Sequence, residues 1–194
     1  MFLRMLGNVS NIPDTEWLQL VPFTTQLLEL AAADDRRGFA RVAGVRIPES
    51  WPSHGVRLHQ LPLQLAALRE DPEGLPWHGR LIVVADHGSR SLAGVINLKG
   101  PPDDLGCVEI GYEVLPEYRR RGVASAAARA LLEWCFETAH VKAVRARTLK
   151  GNTVSQHMLK RLGFARIGPE RDPELGEMVA WEFRPTTSSP SAKS

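Results

Sequence analysis

The sequence predicts an α+β fold, a mixed α/β sandwich. Three observations predict it. Short β-rich runs recur along the chain: WLQLVPF, RLIVVAD, SLAGVINL, CVEIGYEVL, VKAVRARTL and EMVAWEF. Between several of them lie segments whose apolar residues recur at helical spacing. The order of the two kinds is one strand, two to three helices, three hairpin-joined strands, helix, strand, helix and two strands, which places a single strand-helix-strand crossover in the middle.

Each element has its own signal. WLQLVPF (17–23) is the first strand, and 24–44 is helical by apolar spacing, with Gly44 as its stop. IPESWPSHG (47–55) is a loop, LHQLPLQLAALRED (58–71) a further helix, and DPEGLPWHG a turn-rich break. RLIVVAD (80–86) and SLAGVINL (91–98) form a hairpin across HGSR. CVEIGYEVL (107–115) is the third strand of that meander. A long helix covers 121–138, a strand 141–149, and a short helix 151–163 with Gly163 at its end. FARIG and EMVAWEF close the chain with two strands. TTSSPSAKS is a polar tail that we expect to be disordered. The expected organisation is one domain over 1–184 followed by the tail 185–194. Trp51 and Trp77 lie on loops, where they could roof a binding site or anchor the packing.

Composition bounds the function classes. The chain has 194 residues, 43% hydrophobic and 24% charged, with a formal net charge of +2, enough to bury a core and too neutral to argue for nucleic acid. No apolar run reaches the ~18 residues of a membrane span. The start MFLRMLGNVSN has no signal-peptide pattern, so the two cysteines, Cys107 and Cys135, are expected reduced in a cytoplasmic protein. The histidines form no ligand-like cluster and no metal is expected. Charge is uneven, however. Arg119 to Arg166 holds eleven Lys/Arg against Glu133 and Glu137, a local +9, which leaves the rest of the chain at −7. One segment favours an anion.

That segment opens with PEYRRRGVASAAA (116–128). A helix N-terminus carries amides without partners and the positive end of the dipole, and together these attract phosphate. Gly122 lets the chain turn and a ligand touch backbone. Ala124, Ser125 and the alanines after them remove bulk, although for Ala127 and Ala128 packing is the better explanation. Each charge-assisted contact contributes about 1.5–3 kcal/mol. Other phosphate loops fit worse: there is one glycine rather than three, and no GxxxxGK followed by Ser or Thr.

Arg119-Arg120-Arg121-Gly122-Val123-Ala124 resembles the (Gln/Arg)-x-x-Gly-x-(Gly/Ala) acyl-CoA loop of the GNAT superfamily of N-acetyltransferases. The strand VEIGYEVLPEY before it, and Asn152…Ser155…Leu162-Gly163-Phe164 after it, resemble the ribosomal-protein alanine N-acetyltransferase branch, over roughly 80 to 184. The resemblance implies a GNAT-like acyl-CoA N-acyltransferase fold: a central, mostly antiparallel, splayed sheet flanked by helices, with the CoA-binding core at about 107–166. It implies acetyl-CoA as co-substrate and no metal, with the diphosphate on the amides of about Arg120 to Ser125. The pantetheine arm would run beside strand 107–115 where it splays from 141–149, bonding backbone near Val114 and Leu115, with Asn152 touching it from the last helix. The other partner would be an amine, either a peptide N-terminus or a small molecule, taken up by a monomer or homodimer without membrane or nucleic acid.

Amide formation needs a neutral amine, a polarised thioester carbonyl and a thiolate that can leave. Glu109 and Glu113 lie four apart on one strand, and hence on one face unless a bulge intervenes. Glu109 matches the family's base position best, with Glu113 second, and either could simply face solvent. The N–H near Leu115 would polarise the carbonyl. Many family members have a tyrosine seven residues after the asparagine as the thiolate's acid. Here that place is Leu159, which cannot serve. Ser155 shares its stripe with Asn152 and Leu159 and could donate directly or hold a water, or merely satisfy the helix's first turn. Tyr112 points opposite both glutamates and reads as packing. A non-catalytic acyl-CoA sensor and a transferase of another acyl group, such as succinyl, are the competing functions.

Overall fold

The computed structural model describes residues 17–86 and 88–185; most of the polar tail, and the first sixteen residues, lie outside them. Seven strands form one sheet in the order β1-β2-β3-β4-β5-β7-β6, with β1 Leu18–Pro22, β2 Gly79–Asp86, β3 Ser89–Leu98, β4 Cys107–Val114, β5 Ala143–Leu149, β6 Ala165–Asp172 and β7 Gly176–Phe183. Every neighbouring pair is antiparallel except β4 and β5, which the crossover makes parallel. The helices are α1 Thr25–Ala32, α2 Arg36–Ala43, α3 Leu61–Glu70, α4 Val123–Glu133 and α5 Thr153–Arg161.

The expected single helix over 24–44 is in fact two. Asp34 adopts a left-handed conformation (φ +56°), and the Asp35 side chain caps α2 by accepting the Gly38 N–H at 2.8 Å. A carboxylate that satisfies a new helix start competes with continuation of the old helix. The apolar spacing ran on across the break and hid it. The third helix begins earlier than expected, with a π turn at Val56–Gln60, and α4 ends in another at Trp134–Thr138. Gly163 (φ +96°) closes α5.

The core lies between the helices and the sheet. Helix α4 packs across β1, β3 and β4 through Val123, Ala127, Ala128, Leu131 and Leu132, all buried. Ala127 and Ala128 are completely enclosed, so packing sets their size. Burying Leu131 stabilises by about 2 kcal/mol relative to exposure. Trp51 is an anchor, not a roof: it is buried with its ring 6.1 Å from Phe23 and 5.9 Å from Phe39. Trp77 likewise packs edge-on to Trp134 at 5.3 Å. Beneath that pair Arg80 is 1% exposed. It donates to the Pro76 carbonyl at 2.8 Å and stacks 4.9 Å from the Trp134 ring. Burial lowers its pKa to about 10 and pushes that of the neighbouring Cys135 thiol up to about 12. Cys107 and Cys135 are both buried free thiols.

Sheet register opens a gap between two neighbouring strands. β4 stays paired with β3 to the end, through Gly94↔Val114. Its pairing with β5 stops at Ile110↔Ala146, while β5 continues along β7 to Leu149↔Met178. From Gly111 onward, β4 and β5 diverge.

Candidate active site

A cleft of about 980 Å³ opens at this divergence, between the end of β4, the start of α4 and one face of α5. Its walls are Tyr112–Val114, Tyr118–Arg120, Gly122–Ser125, and Asn152, Val154, Ser155, His157, Met158 and Arg161.

The α4 start is a tight turn at one end of the cleft. Arg120 (φ +60°) and Gly122 (φ +78°) are both left-handed, and two such residues so close curl the backbone into a concave turn. Gly122 occupies the helix N-cap and supplies no side-chain cap, so the first-turn amides have no side-chain partner and face the cleft. Arg119 and Arg120 line it, with Arg161 joining from α5. Arg121 does not; its guanidinium lies over the Tyr118 ring at 5.4 Å. Much of the segment's surplus charge is spent elsewhere. Arg145 pairs with Glu182 at 3.0 Å, Arg147 with Glu109 at 3.0 Å and Asp172 at 3.5 Å, and Lys150 with Glu177 at 2.8 Å.

The backbone donors differ from expectation in one respect. The Leu115 N–H already donates to the Ala93 carbonyl at 2.8 Å, because β3 follows β4 to its end. Alternation along the strand turns the neighbouring Val114 N–H towards the divergence, where β5 no longer answers it. The Val114 carbonyl accepts from Arg119 Nε at 2.9 Å.

The register of β4 is regular from Ile110 to Val114, so Glu109, Gly111 and Glu113 share a face. Their surroundings do not match. Glu109 accepts from Arg147 Nε and from Lys99 Nζ, and it raises the pKa of Arg147, chiefly through that hydrogen bond. It does not line the cleft. Glu113 is half-buried and does. It faces the first turn of the helical segment that leads into α3: a side chain at Gly55 would meet its carboxylate at 3.8 Å. In the loop before that turn, Ser50 Oγ donates to Glu117 at 2.8 Å.

On α5, Asn152 is the N-cap, its Oδ1 accepting the Ser155 N–H at 3.1 Å; its amide nitrogen remains available to a ligand. Leu159 is fully enclosed. Tyr112 is more than packing. It lines the cleft, and its hydroxyl is buried without a well-formed hydrogen bond. Burial raises its pKa, and the Ser155 hydroxyl beside it pulls in the other direction. Stranding a buried hydroxyl costs about 1–3 kcal/mol. Val154, Met158 and Arg161 were missed as cleft residues, although their i, i+4, i+7 spacing marks one helix face.

Residues 18–165 match the family model "Acetyltransferase (GNAT) domain". Among curated proteins, the chain is 26% identical over 151 residues to "Uncharacterized N-acetyltransferase YjdG" of Bacillus subtilis (strain 168), covering 78% of this chain and 88% of that one. Among solved structures it resembles a ribosomal-protein-S5-alanine acetyltransferase from Vibrio fischeri (TM-score 0.62, 17% identity, 92% of this chain and 98% of that one). It also resembles a spermidine N-acetyltransferase SpeG chimera from Vibrio cholerae and hSSAT (TM-score 0.60, 13% identity, 86% and 95%).

Proposed function

Since the chain belongs to the GNAT acetyltransferase family, we propose that it moves an acetyl group from acetyl-CoA to a primary amine by direct attack in a ternary complex. The observation that carries this reading is the cleft at the β4–β5 divergence, floored by the uncapped turn Arg120–Ser125. A diphosphate on those amides, flanked by Arg119 and Arg120, sends the pantetheine arm along Gly111–Val114. There the Val114 N–H polarises the thioester carbonyl, and the Asn152 amide holds the arm from the other wall.

Glu113 is the base in this reading. It lines the cleft, whereas Glu109 is occupied by Lys99 and Arg147. The acceptor enters over Glu113, past the helical turn at Gly55. Glu113 and Glu117 make that approach acidic, which suits a cationic amine, and the similarity to alanine and spermidine acetyltransferases supports a peptide N-terminus or a polyamine-like molecule.

The enclosed Leu159 at the family's acid position favours a second reading, a sensor that binds acyl-CoA and transfers nothing. Thiol release from acetyl-CoA and succinyl-CoA, measured in parallel against peptide N-termini and small amines, separates the two. Amine-dependent release with acetyl-CoA is expected; tight CoA binding without release from either donor would sink the transferase.

A further inference from the structure

We propose that Tyr112 orients Ser155 and backs it with a proton, so that Ser155 protonates the departing thiolate; this rests on the acetyl-CoA reading above. Regular alternation along β4 sends Tyr112 away from the Glu109–Glu113 face, and it lines the cleft together with Ser155 of α5. Its hydroxyl is shut off from solvent and lacks a well-formed hydrogen bond. Its polar neighbour is the hydroxyl of Ser155, which lines the cleft. The next residue on that stripe, Leu159, offers nothing. A phenylalanine would fill the same volume without burying an idle hydroxyl. The hydroxyl has a purpose if Ser155 turns to bridge Tyr112 and a sulfur in the cleft. A phenol whose ordinary pKa is about 10 is protonated at neutral pH and has a proton to give.

The steps balance. The amine nitrogen forms the C–N bond to the acetyl carbonyl carbon and gives a proton to Glu113. Collapse of the tetrahedral intermediate breaks the C–S bond, and the electron pair leaves on sulfur. Sulfur takes the Ser155 proton while Ser155 Oγ takes that of Tyr112. As products leave, the proton on Glu113 passes to water, and water returns one through Ser155 to the tyrosinate. Tyr112 is therefore a positioning residue, and Ser155 touches the reacting atom.

The test compares Tyr112→Phe, Ser155→Ala and the double variant for CoA affinity and for thiol release from acetyl-CoA, with and without amine. Each single change should lower kcat about 10²-fold, the scale of one general acid, at unchanged CoA Kd. The double should be no worse than the worse single, since both serve one relay. In addition, 3-fluorotyrosine placed at 112 alone lowers the phenol's pKa without removing it. The alkaline limb of kcat should move to lower pH. Packing alone would not move that limb. Wild-type kcat in Tyr112→Phe, or an unmoved limb with fluorotyrosine, overturns the proposal. If Tyr112→Phe misfolds, the nearly isosteric fluorotyrosine decides. Water attack on acetyl-CoA needs the same leaving-group proton. A chain that acetylates no amine but hydrolyses acetyl-CoA more slowly as Tyr112→Phe thus refutes the acceptor reading and supports the relay.

Discussion

Cys107–Ile110 and Gly111–Val114 are one strand in two surroundings. Both halves pair with β3 or lie beside its end, and each carries a glutamate on the same face. The first half is zipped to β5, and cations from β5 and from the end of β3 close on Glu109. The second half has lost β5, so Glu113, Tyr112 and the Val114 N–H face a cleft instead. A carboxylate's surroundings here are decided by where its neighbouring strand stops, a property of pairing rather than of the residue.

The largest effect should come from the open half. Glu113→Gln is expected to slow amine-dependent turnover about 10²–10⁴-fold with CoA affinity intact, and the loss should shrink as pH rises towards the amine's own pKa. If Glu109→Gln gave the larger loss in the same assay, the contrast between the halves would be reversed. Next in size, Gly122→Glu puts a charged side chain on a left-handed residue at the turn proposed to take the diphosphate. Losing even one charge-assisted contact, about 1.5–3 kcal/mol, should weaken CoA binding on the order of 10–150-fold by titration calorimetry. Undiminished affinity would remove the turn from the site.

The zipped half should answer with stability instead of rate. Glu109→Gln breaks two partly exposed ion pairs, each contributing about 0–1 kcal/mol. It should lower the thermal midpoint by a few degrees and leave kcat within about threefold. High salt should narrow the gap from wild type, because screening weakens the same pairs.

What the sequence made legible follows from range. The strand and helix order came from local periodicity, and the Arg120–Ser125 turn from local residue types, so both could be found. The partners of Glu109 come from positions 99 and 147, and Arg147 also holds Asp172; no local pattern joins them. The end of the β4–β5 pairing at Ile110 is equally non-local, and it alone separates Glu109 from Glu113. Tyr112 was readable only as facing opposite the glutamates. That its hydroxyl meets Ser155 depends on how α5 docks. Asp34-Asp35 did carry a helix-start signal, which the continuing apolar spacing outweighed.

The smallest effect sets the two halves at opposite ends of the pH scale. Asp172 and Glu182 reach the zipped half through Arg147 and Arg145. Asp172 is held below its ordinary pKa first by the amides of Leu175 and Glu174 and then by Arg147; Glu182 first by Arg184 and then by Arg145. A carboxylate whose folded pKa is depressed contributes stability that is present above its unfolded pKa, about 3.9–4.3, and is lost as pH falls through the folded value. Tyr112, in the open half, has a raised pKa. Its contribution is present below the unfolded value of about 10 and is lost as pH climbs through the folded one. Thermal midpoints of wild type, Asp172→Asn and Tyr112→Phe, taken from pH 3 to 11, should therefore separate. Asp172→Asn should flatten the curve only below about pH 4, and Tyr112→Phe only above about pH 10. Both shifts are small, because the carboxylates are only partly buried and one phenol is a single group. If Tyr112→Phe instead changed the acid limb, the tyrosine would be coupled to the ion-paired half, and the division of β4 at Ile110 would not be the boundary that separates its two environments.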